Sequence, residues 1–287
     1  MPLDAKHLQS YSIPEVRQQL TRADTAFYAL SVGLGMDPMD RRQLDFVDPD
    51  HNFMALPSMA VVMAHPGFWL GNPDTGVDAT RVVHGEQEIN WHGPLPVEGE
   101  VLGRTRVTGL VDKGNNALMY SEKQLLDTSG TLLATCCMTT VLRGAGGFGE
   151  STTEANPVHE LPKSAPERVV DFSTRPEQAL YYRLNGDFNP LHSDPDTASQ
   201  AGYSRPILHG LCTLGVVFHA LFRELADYRS ERLQAMRLRF SSPVYPGETI
   251  RTEMWYDGSF RARVVERDVV VVNNGKLDLT DELGAQQ

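Results

Sequence analysis

Tyr181-Tyr182-Arg183-Leu184-Asn185-Gly186-Asp187-Phe188-Asn189-Pro190-Leu191-His192-Ser193-Asp194-Pro195-Asp196 is the densest run of polar and backbone-special residues in the chain. Pro190 disfavours helical backbone at Asn189, so a helix running to about Tyr182 must break and turn there, which can bring Asp187 and His192 towards one point. Such a pair could share one water, as general acid–base chemistry at a polarised double bond requires. The same letters also suit a helix-end turn whose Asp and Asn are caps and whose His lies at the surface. A second element, Arg205-Pro206-Ile207-Leu208-His209-Gly210, directly precedes an apolar helical stretch from Gly210 to Leu225. A helix start offers unpaired N–H groups, and a residue without Cβ lets a ligand oxygen approach, so Gly210 is a candidate oxyanion donor or a close-packing residue.

Outward from this run, Pro176 and Asp194-Pro195 mark two short helix starts, and four strands follow the long helix: Leu233 to Phe240, Thr249 to Tyr256, Phe260 to Glu266 and Val269 to Leu279, the last interrupted by Asn273-Asn274-Gly275. Upstream, residues 144–165 are rich in Gly, Ser, Thr, Glu and Pro and read as a linker. Before it comes the same order of elements: a helix from Thr21 to Gly35, a short one over Met59 to Met63, then a four-strand meander from Val82 to Leu142. Ile89-Asn90-Trp91-His92-Gly93-Pro94-Leu95 aligns with Leu238-Arg239-Phe240-Ser241-Ser242-Pro243-Val244, and after one slipped residue Gly99-Glu100 aligns with Gly247-Glu248. The chain therefore reads as a duplication, an α+β protein with units over residues 1–143 and 166–287.

The balance of 26 basic and 37 acidic side chains excludes non-specific attraction to nucleic acid or anionic lipid, so an anionic ligand needs a local basic pocket. No window is long and apolar enough for a membrane span. Three cysteines, Cys136, Cys137 and Cys212, make no disulfide framework and suit a reducing compartment. The N-terminus lacks a leader pattern and the tail Gly284-Ala285-Gln286-Gln287 is not the peroxisomal tripeptide, so a cytoplasmic location is expected.

The opening run resembles the signature of the (R)-specific 2-enoyl-CoA hydratases of the MaoC-like, type-2 class: an aromatic, one or two residues, an aliphatic, a small residue, Gly-Asp-x-Asn-Pro-aliphatic-His, then five residues and Ala or Ser. Tyr182, Leu184, Gly186-Asp187, Asn189-Pro190-Leu191-His192 and Ala198 match it, and Ala201 to Gly215 looks like the helix entry of that family. Asn185 departs, standing where the family carries Ser, Thr, Gly or Cys, which bears on the packing beneath the Asp. The resemblance spans essentially the whole chain. It implies a double hotdog fold, two tandem repeats each with a long helix wrapped by an antiparallel sheet, and a cofactor-free lyase that hydrates trans-2-enoyl-CoA to (3R)-3-hydroxyacyl-CoA. By the same resemblance Asp187 and His192 hold and activate the water, Asn189 orients it, and the Gly210 amide binds the thioester oxygen.

No Asp-x-Asn-Pro-x-His string occurs near Met36 to Asp50, where the first repeat should carry its counterpart. The resemblance therefore implies a non-catalytic first repeat that makes room for a medium, long or bulky acyl group, a steroid side chain included. Phe53, Met54, Met59, Met63 and Trp69 either line that room or belong to the core. Arg143, Lys163, Arg183, Arg205 and Arg239 are candidates for the CoA phosphates. A thioesterase and a non-enzymatic acyl-CoA-binding protein are the rival readings, and a homodimer is the default assembly. Gly144-Ala145-Gly146-Gly147-Phe148-Gly149 has the letters of a dinucleotide fingerprint but opens no helix, and the acidic and histidine spacings fit neither an EF-hand nor a zinc motif, so no metal is expected.

Overall fold

The β-rich stretch of the first half folds as an antiparallel sheet because its alternating residues present one apolar face and its Gly- and Asn-containing breaks supply turns; only its last three strands form a meander, and the first, Val82–Trp91, pairs with the last, Leu132–Leu142, where a four-strand meander would have paired it with its successor. In the computed structural model, which describes residues 3–280, the strands of that half are β1 (Val16–Leu20), β2 (Val82–Trp91), β3 (Gly99–Lys113), β4 (Asn116–Asp127) and β5 (Leu132–Leu142). The second half contributes β6 (Arg168–Ser173), β7 (Leu233–Phe240), β8 (Thr249–Met254), β9 (Ser259–Val264) and β10 (Val269–Leu279). All join one antiparallel sheet in the order β1-β3-β4-β5-β2-β7-β10-β9-β8-β6. Counting inward from each edge, the two halves have the same connectivity.

The halves meet edge to edge at β2 and β7, where Glu86, Glu88 and Asn90 pair with Arg239, Arg237 and Ala235. With Trp91 aligned on Phe240, the sequence counterpart of Glu88 is Arg237, its own partner in the ladder. A local two-fold axis therefore passes through that pair. Joining two open sheets this way removes one edge from each and leaves only the short β1 and β6 as edges. The duplication is visible as a double hotdog.

The helices lie on one face of this sheet: α1 (Ala5–Gln9), α2 (Arg22–Ser31), α3 (Leu44–Val47), α4 (Gln178–Tyr182), α5 (Pro195–Gln200) and α6 (Gly210–Glu224). Thr21 and Asp24 form a capping box that starts α2. Every residue of α6 from Cys212 to Phe222 is buried, as befits a helix apolar on all sides and enclosed by sheet and neighbouring helices. Gly215 lets it touch the end of α2: a Cβ there would lie 2.4 Å from Val32 Cγ1. One core runs through both halves, from Tyr28 and Met59 to Phe218 and Val264.

The first half departs from the second where its own long helix is expected. At the place in the chain that corresponds to α6, it has a 3-10 turn over Pro57–Val61 and no α-helix. The carbonyls of Ala60, Val61 and Met63 accept from the Lys123 ammonium at 2.8, 3.1 and 2.6 Å, so a buried lysine takes over the acceptors that a continuing helix would have paired. Beyond it, Ala64 packs on bare backbone at Gly103, where a Cβ would come 2.0 Å from the Ala64 oxygen. Space above β3, β4 and β5 is thereby left open.

Other differences from the sequence reading are local. β1 and β6 are short, half-exposed edge strands whose more buried positions alternate along them, but with Gln18 on the inward side of β1 and Val169 on the outward side of β6 the hydropathy pattern does not announce them. Asn273-Asn274-Gly275 produces a register shift inside a continuous β10, because both neighbours, β7 and β9, hold the strand on either side. In the glycine-rich stretch after β5, the amides of Gly147 and Gly149 donate to the Asp112 carboxylate at 3.0 and 2.9 Å, so its anion-binding groups are occupied by the chain itself. The three cysteines are free. Residues 284–287, the tail considered above for a targeting signal, lie outside the described residues.

Candidate active site

After α4 the chain makes one more turn over Arg183–Asn185 and reverses at Gly186, whose φ of 111° suits glycine alone. Asp187 follows on the surface, its carboxylate accepting the Asn189 N–H at 3.2 Å. The Asn189 side-chain oxygen accepts the Leu191 N–H at 3.0 Å and caps the turn Pro190–His192. The cap geometry and the chemical arrangement are therefore one structure. Asn185, in the position where the signature has a small residue, donates to Ser31 Oγ and to the Tyr182 carbonyl, both at 2.9 Å, and ties the turn to α2.

His192 is buried, and its Nδ1 lies 2.8 Å from the Ile207 carbonyl oxygen. A carbonyl can only accept, so Nδ1 carries the proton and Nε2 keeps its lone pair. His209 is also buried; its Nε2 lies 3.1 Å from the Asp187 carbonyl oxygen and donates to it. The two imidazoles stack at 3.7 Å between centroids, 28° from parallel. A carboxylate oxygen of Asp187 and one ring nitrogen from each histidine fall within 4.8 Å of one another. That is a separation one water can bridge with two hydrogen bonds, and two imidazoles with a carboxylate are also a donor set that cations accept.

Gly210 begins α6, whose first turn has no side-chain cap. A Cβ on Gly210 would rest 3.5 Å from the Phe240 ring, an ordinary contact, so the fold itself does not demand glycine here. Asp187, Asn189, His192, Gly210 and Arg143 line one cavity of about 400 Å³, together with Thr105, Lys123 and Thr140 of the first half. The space left by the missing helix thus opens onto the Asp–His pair. Trp69 also lines it, stacked on Tyr11 at 5.5 Å.

Not every residue singled out in the sequence reaches this cavity. Arg183 lies over the Phe188 ring at 5.4 Å, Arg205 over Tyr245 at 5.1 Å, and neither forms part of the wall. Arg239 is held by Glu86 through two hydrogen bonds, and Lys163 is exposed on the linker. Phe53 receives the Arg22 guanidinium at 4.9 Å, while Met54 packs against the core, as do the buried Met59 and Met63, and none of the four forms part of the wall. Conversely, His209, Lys123 and His84 occupy positions of consequence that spacing did not single out. His209 had a signal, its place beside Gly210; the others are ordinary strand residues in the sequence.

Burial sets the protonation of this region. It pushes His192 below the ordinary imidazole range and His209 down to about 3, with the neighbouring His192 acting in the same direction. Burial likewise lowers His84, in the cavity wall, to about 4, and His219, in α6, to about 3. These groups are neutral in the native protein and take up protons near pH 6.5 only when unfolded. Their contribution to stability is complete above about pH 6.5 and is lost as pH falls through about 4, because the unfolded chain binds more protons there. The melting temperature should therefore hold between pH 7 and 8 and fall steadily from pH 6.5 to 4.5; an unchanged value at pH 4.5 would contradict the neutral assignment.

Comparison with known proteins adds a family context. A family model described as MaoC like domain matches residues 156–278, and one described as MFE-2 hydratase 2 N-terminal domain matches residues 19–144. The chain is 35% identical to "Enoyl-CoA hydratase 2, peroxisomal" of Arabidopsis thaliana, over 92% of each protein. It is 36% identical to "Peroxisomal multifunctional enzyme type 2" of Drosophila melanogaster over 88% of its own length, and spans only 44% of that longer protein. The solved MaoC-like dehydratase from Phytophthora capsici superposes with a TM-score of 0.86 at 34% identity, covering 96% of this chain and 99% of the other.

Proposed function

This chain belongs to the family of MaoC-like dehydratases, with an MFE-2 hydratase 2 domain as its first half, and from that premise we propose that it adds water reversibly to a trans-2-enoyl-CoA, giving the (3R)-3-hydroxyacyl-CoA. It acts as a hydro-lyase. The observation that carries the reading is the convergence of the Asp187 carboxylate and the His192 imidazole, within 4.8 Å, on a cavity that also holds the start of α6.

In the resting protein both groups are acceptors, the carboxylate by its charge and His192 because its one proton is held by Ile207. A water between them donates both hydrogens and turns an oxygen lone pair outward. With C3 of the enoyl group in front of it, that oxygen forms the C3–O bond, one water proton passes to the pair, and the C2=C3 electrons move towards the thioester carbonyl. The Gly210 N–H meets the developing oxyanion. Return of a proton from the pair to C2 completes the addition, and delivery from the same side as the oxygen makes it syn. Asn189, whose side-chain oxygen is committed to the turn, has its Nδ2 left to orient the water. His209 keeps the Asp187 backbone in register with the helix start.

The first half serves as the acyl-chain compartment, since its cavity wall lies where a helix is missing. Medium, long or bulky acyl groups suit that volume, and Arg143 is the wall's cation for the CoA moiety. The reading extends to a cytoplasmic homodimer. Three free thiols suit a reducing compartment, and among the described residues no helix is long and apolar enough to cross a membrane. Incubation with trans-2-enoyl-CoA thioesters tests the whole: conjugated absorbance should be lost with no free thiol released, and chiral analysis should find the (3R) product. Thiol release in step with substrate loss would make the protein a thioesterase instead.

A further inference from the structure

The cavity holds two further histidines that the chemistry at Asp187 and His192 does not use: His65, which follows the Pro57 turn, and His84 on β2. His84 is aimed by a bulge. It pairs with Thr140 of β5 and Glu86 pairs with Thr139, so Gly85 is the extra residue, and the alternation of faces is broken there. His84 and Gln87 both reach the cavity in consequence, although three positions apart. Glu86, which does not line it, fixes the bulge by accepting from Thr139 Oγ1 at 2.7 Å and from Arg239 at 2.9 and 2.6 Å. The His84 ring stands edge-on to Phe240 at 4.9 Å, and Phe240 is the ring against which a Cβ on Gly210 would rest.

The two rings present opposite hydrogen-bonding senses. His84 Nε2 lies 3.1 Å from the Glu86 carbonyl oxygen, an atom that only accepts, so Nε2 carries the proton and Nδ1 is an acceptor. Gln87 brings no proton there, because its amide nitrogen donates to the Glu88 and Cys137 carbonyls, both at 3.0 Å, and its oxygen is the atom left to face the ring. In His65 it is Nδ1 that is engaged, accepting the Gly67 N–H at 3.1 Å, so Nε2 carries the proton and is a donor towards the cavity. Solvent reaches His65 through the mouth, but the walls enclose both rings and push each down to about 4, so both are neutral at pH 7. The Asp187 charge acts on both rings, and His84 acts on His65, which gathers them around one stretch of the cavity.

A neutral donor beside a neutral acceptor is the complement of a secondary amide, which offers a carbonyl oxygen on one edge and an N–H on the other. An alkyl chain uses neither group, and a phosphate has no N–H to give His84. A CoA thioester carries such an amide in its pantetheine arm, with only the sulfur and two methylenes between the nearer amide nitrogen and the thioester carbon. With the thioester oxygen at Gly210, that is a reach past the Phe240 ring to His84. Further along, Arg143 follows Leu142, whose partner Val82 precedes His84 on β2, so His84 stands between the cation assigned to the CoA moiety and the thioester. We infer that His65 and His84 hold the substrate by the pantetheine amide nearest the sulfur, His65 donating to its carbonyl oxygen and His84 accepting its N–H. The inference rests on the acyl-CoA reading proposed above and adds to it two substrate-binding residues from the repeat that lacks the signature.

The test uses two saturated acyl thioesters as competitive inhibitors of enoyl-CoA hydration, since an inhibition constant does not depend on the amount of protein folded. One is the thioester of N-acetylcysteamine, which keeps the nearer amide and nothing beyond it; the other, of 2-acetoxyethanethiol, has an ester oxygen in place of the N–H. The native protein should bind the amide form tighter by about tenfold or more, because a site built to accept an N–H rejects the analogue without one. His84→Leu should bring that ratio to about one, while His84→Asn, which sets an oxygen near the place of Nδ1, should keep most of it. His65→Leu should weaken both inhibitors by about fivefold and leave the ratio in place, since both retain the carbonyl oxygen. A native ratio of one, a ratio that survives His84→Leu, or inhibition unmoved by His65→Leu overturns the inference and leaves the hydratase reading standing. If enoyl-CoA itself is not hydrated, the hydratase reading fails, and this inference with it.

Discussion

Asp187→Asn and His192→Gln should each lower kcat by at least about a hundredfold, the usual size of a general acid–base contribution. Asparagine keeps the shape of the side chain and an oxygen to accept the Asn189 N–H, so the turn survives while the charge that orients the water is gone. Glutamine at 192 removes the imidazole lone pair that receives a water proton. Neither change touches Gly210 or the cavity of the first half, so KM should move much less than kcat. The double variant should be little slower than the worse single one, because the two groups act on a single water. Steady-state hydration of one enoyl-CoA, with circular dichroism to verify folding, decides the matter. Near-native turnover in both single variants would refute the assignment of the site.

Lys123→Met is expected to carry the largest cost to stability. Its ammonium is buried, and burial alone lowers its pKa, yet three carbonyl oxygens from Ala60, Val61 and Met63 surround it. Methionine fits the volume and relieves the desolvation of a charge. It also leaves the Val61 and Met63 carbonyls at the end of a 3-10 turn without their donor, each worth roughly 1–3 kcal/mol when unsatisfied, and Ala60 with only the weak Cys136 thiol at 3.5 Å. The opposing gain is several kcal/mol for one ion, and water from the adjoining cavity can reach part of the site, so a net loss of about 3 kcal/mol is expected. Urea unfolding should show this, and amide exchange should quicken first in the turn Pro57–Val61. A variant within 1 kcal/mol of the native protein would show that the turn holds without its lysine.

Much of this architecture could be read from residue order alone. The eight strands with apolar alternation, the long helix after Gly210 and the repeated Trp91/Phe240 motif all follow from local preferences that survive in the folded chain. What local preference does not carry is partnership. β1 and β6 are short and half-exposed, and each pairs on one side only, with β3 and β8 respectively. Asn273-Asn274-Gly275 has turn chemistry yet stays within β10, since pairing on both sides outweighs it. The short apolar stretch at Met59 ends after one 3-10 turn, and its last carbonyls find their hydrogen-bond donor in a lysine sixty-odd positions later, which no local pattern announces.

The same division holds at the site. Residue types and spacing were enough to single out Asp187, His192 and Gly210, with Asn189 added by the resemblance to the family signature, because a proline, a positive-φ glycine and a helix start are written locally. Which imidazole nitrogen is bare, that His209 stacks on His192, and that the two halves share one cavity were decided by contacts between segments far apart in the chain. The backbone's short-range sterics are encoded residue by residue, whereas the proton on a histidine and the shape of a void depend on whichever distant atoms the completed packing brings against them.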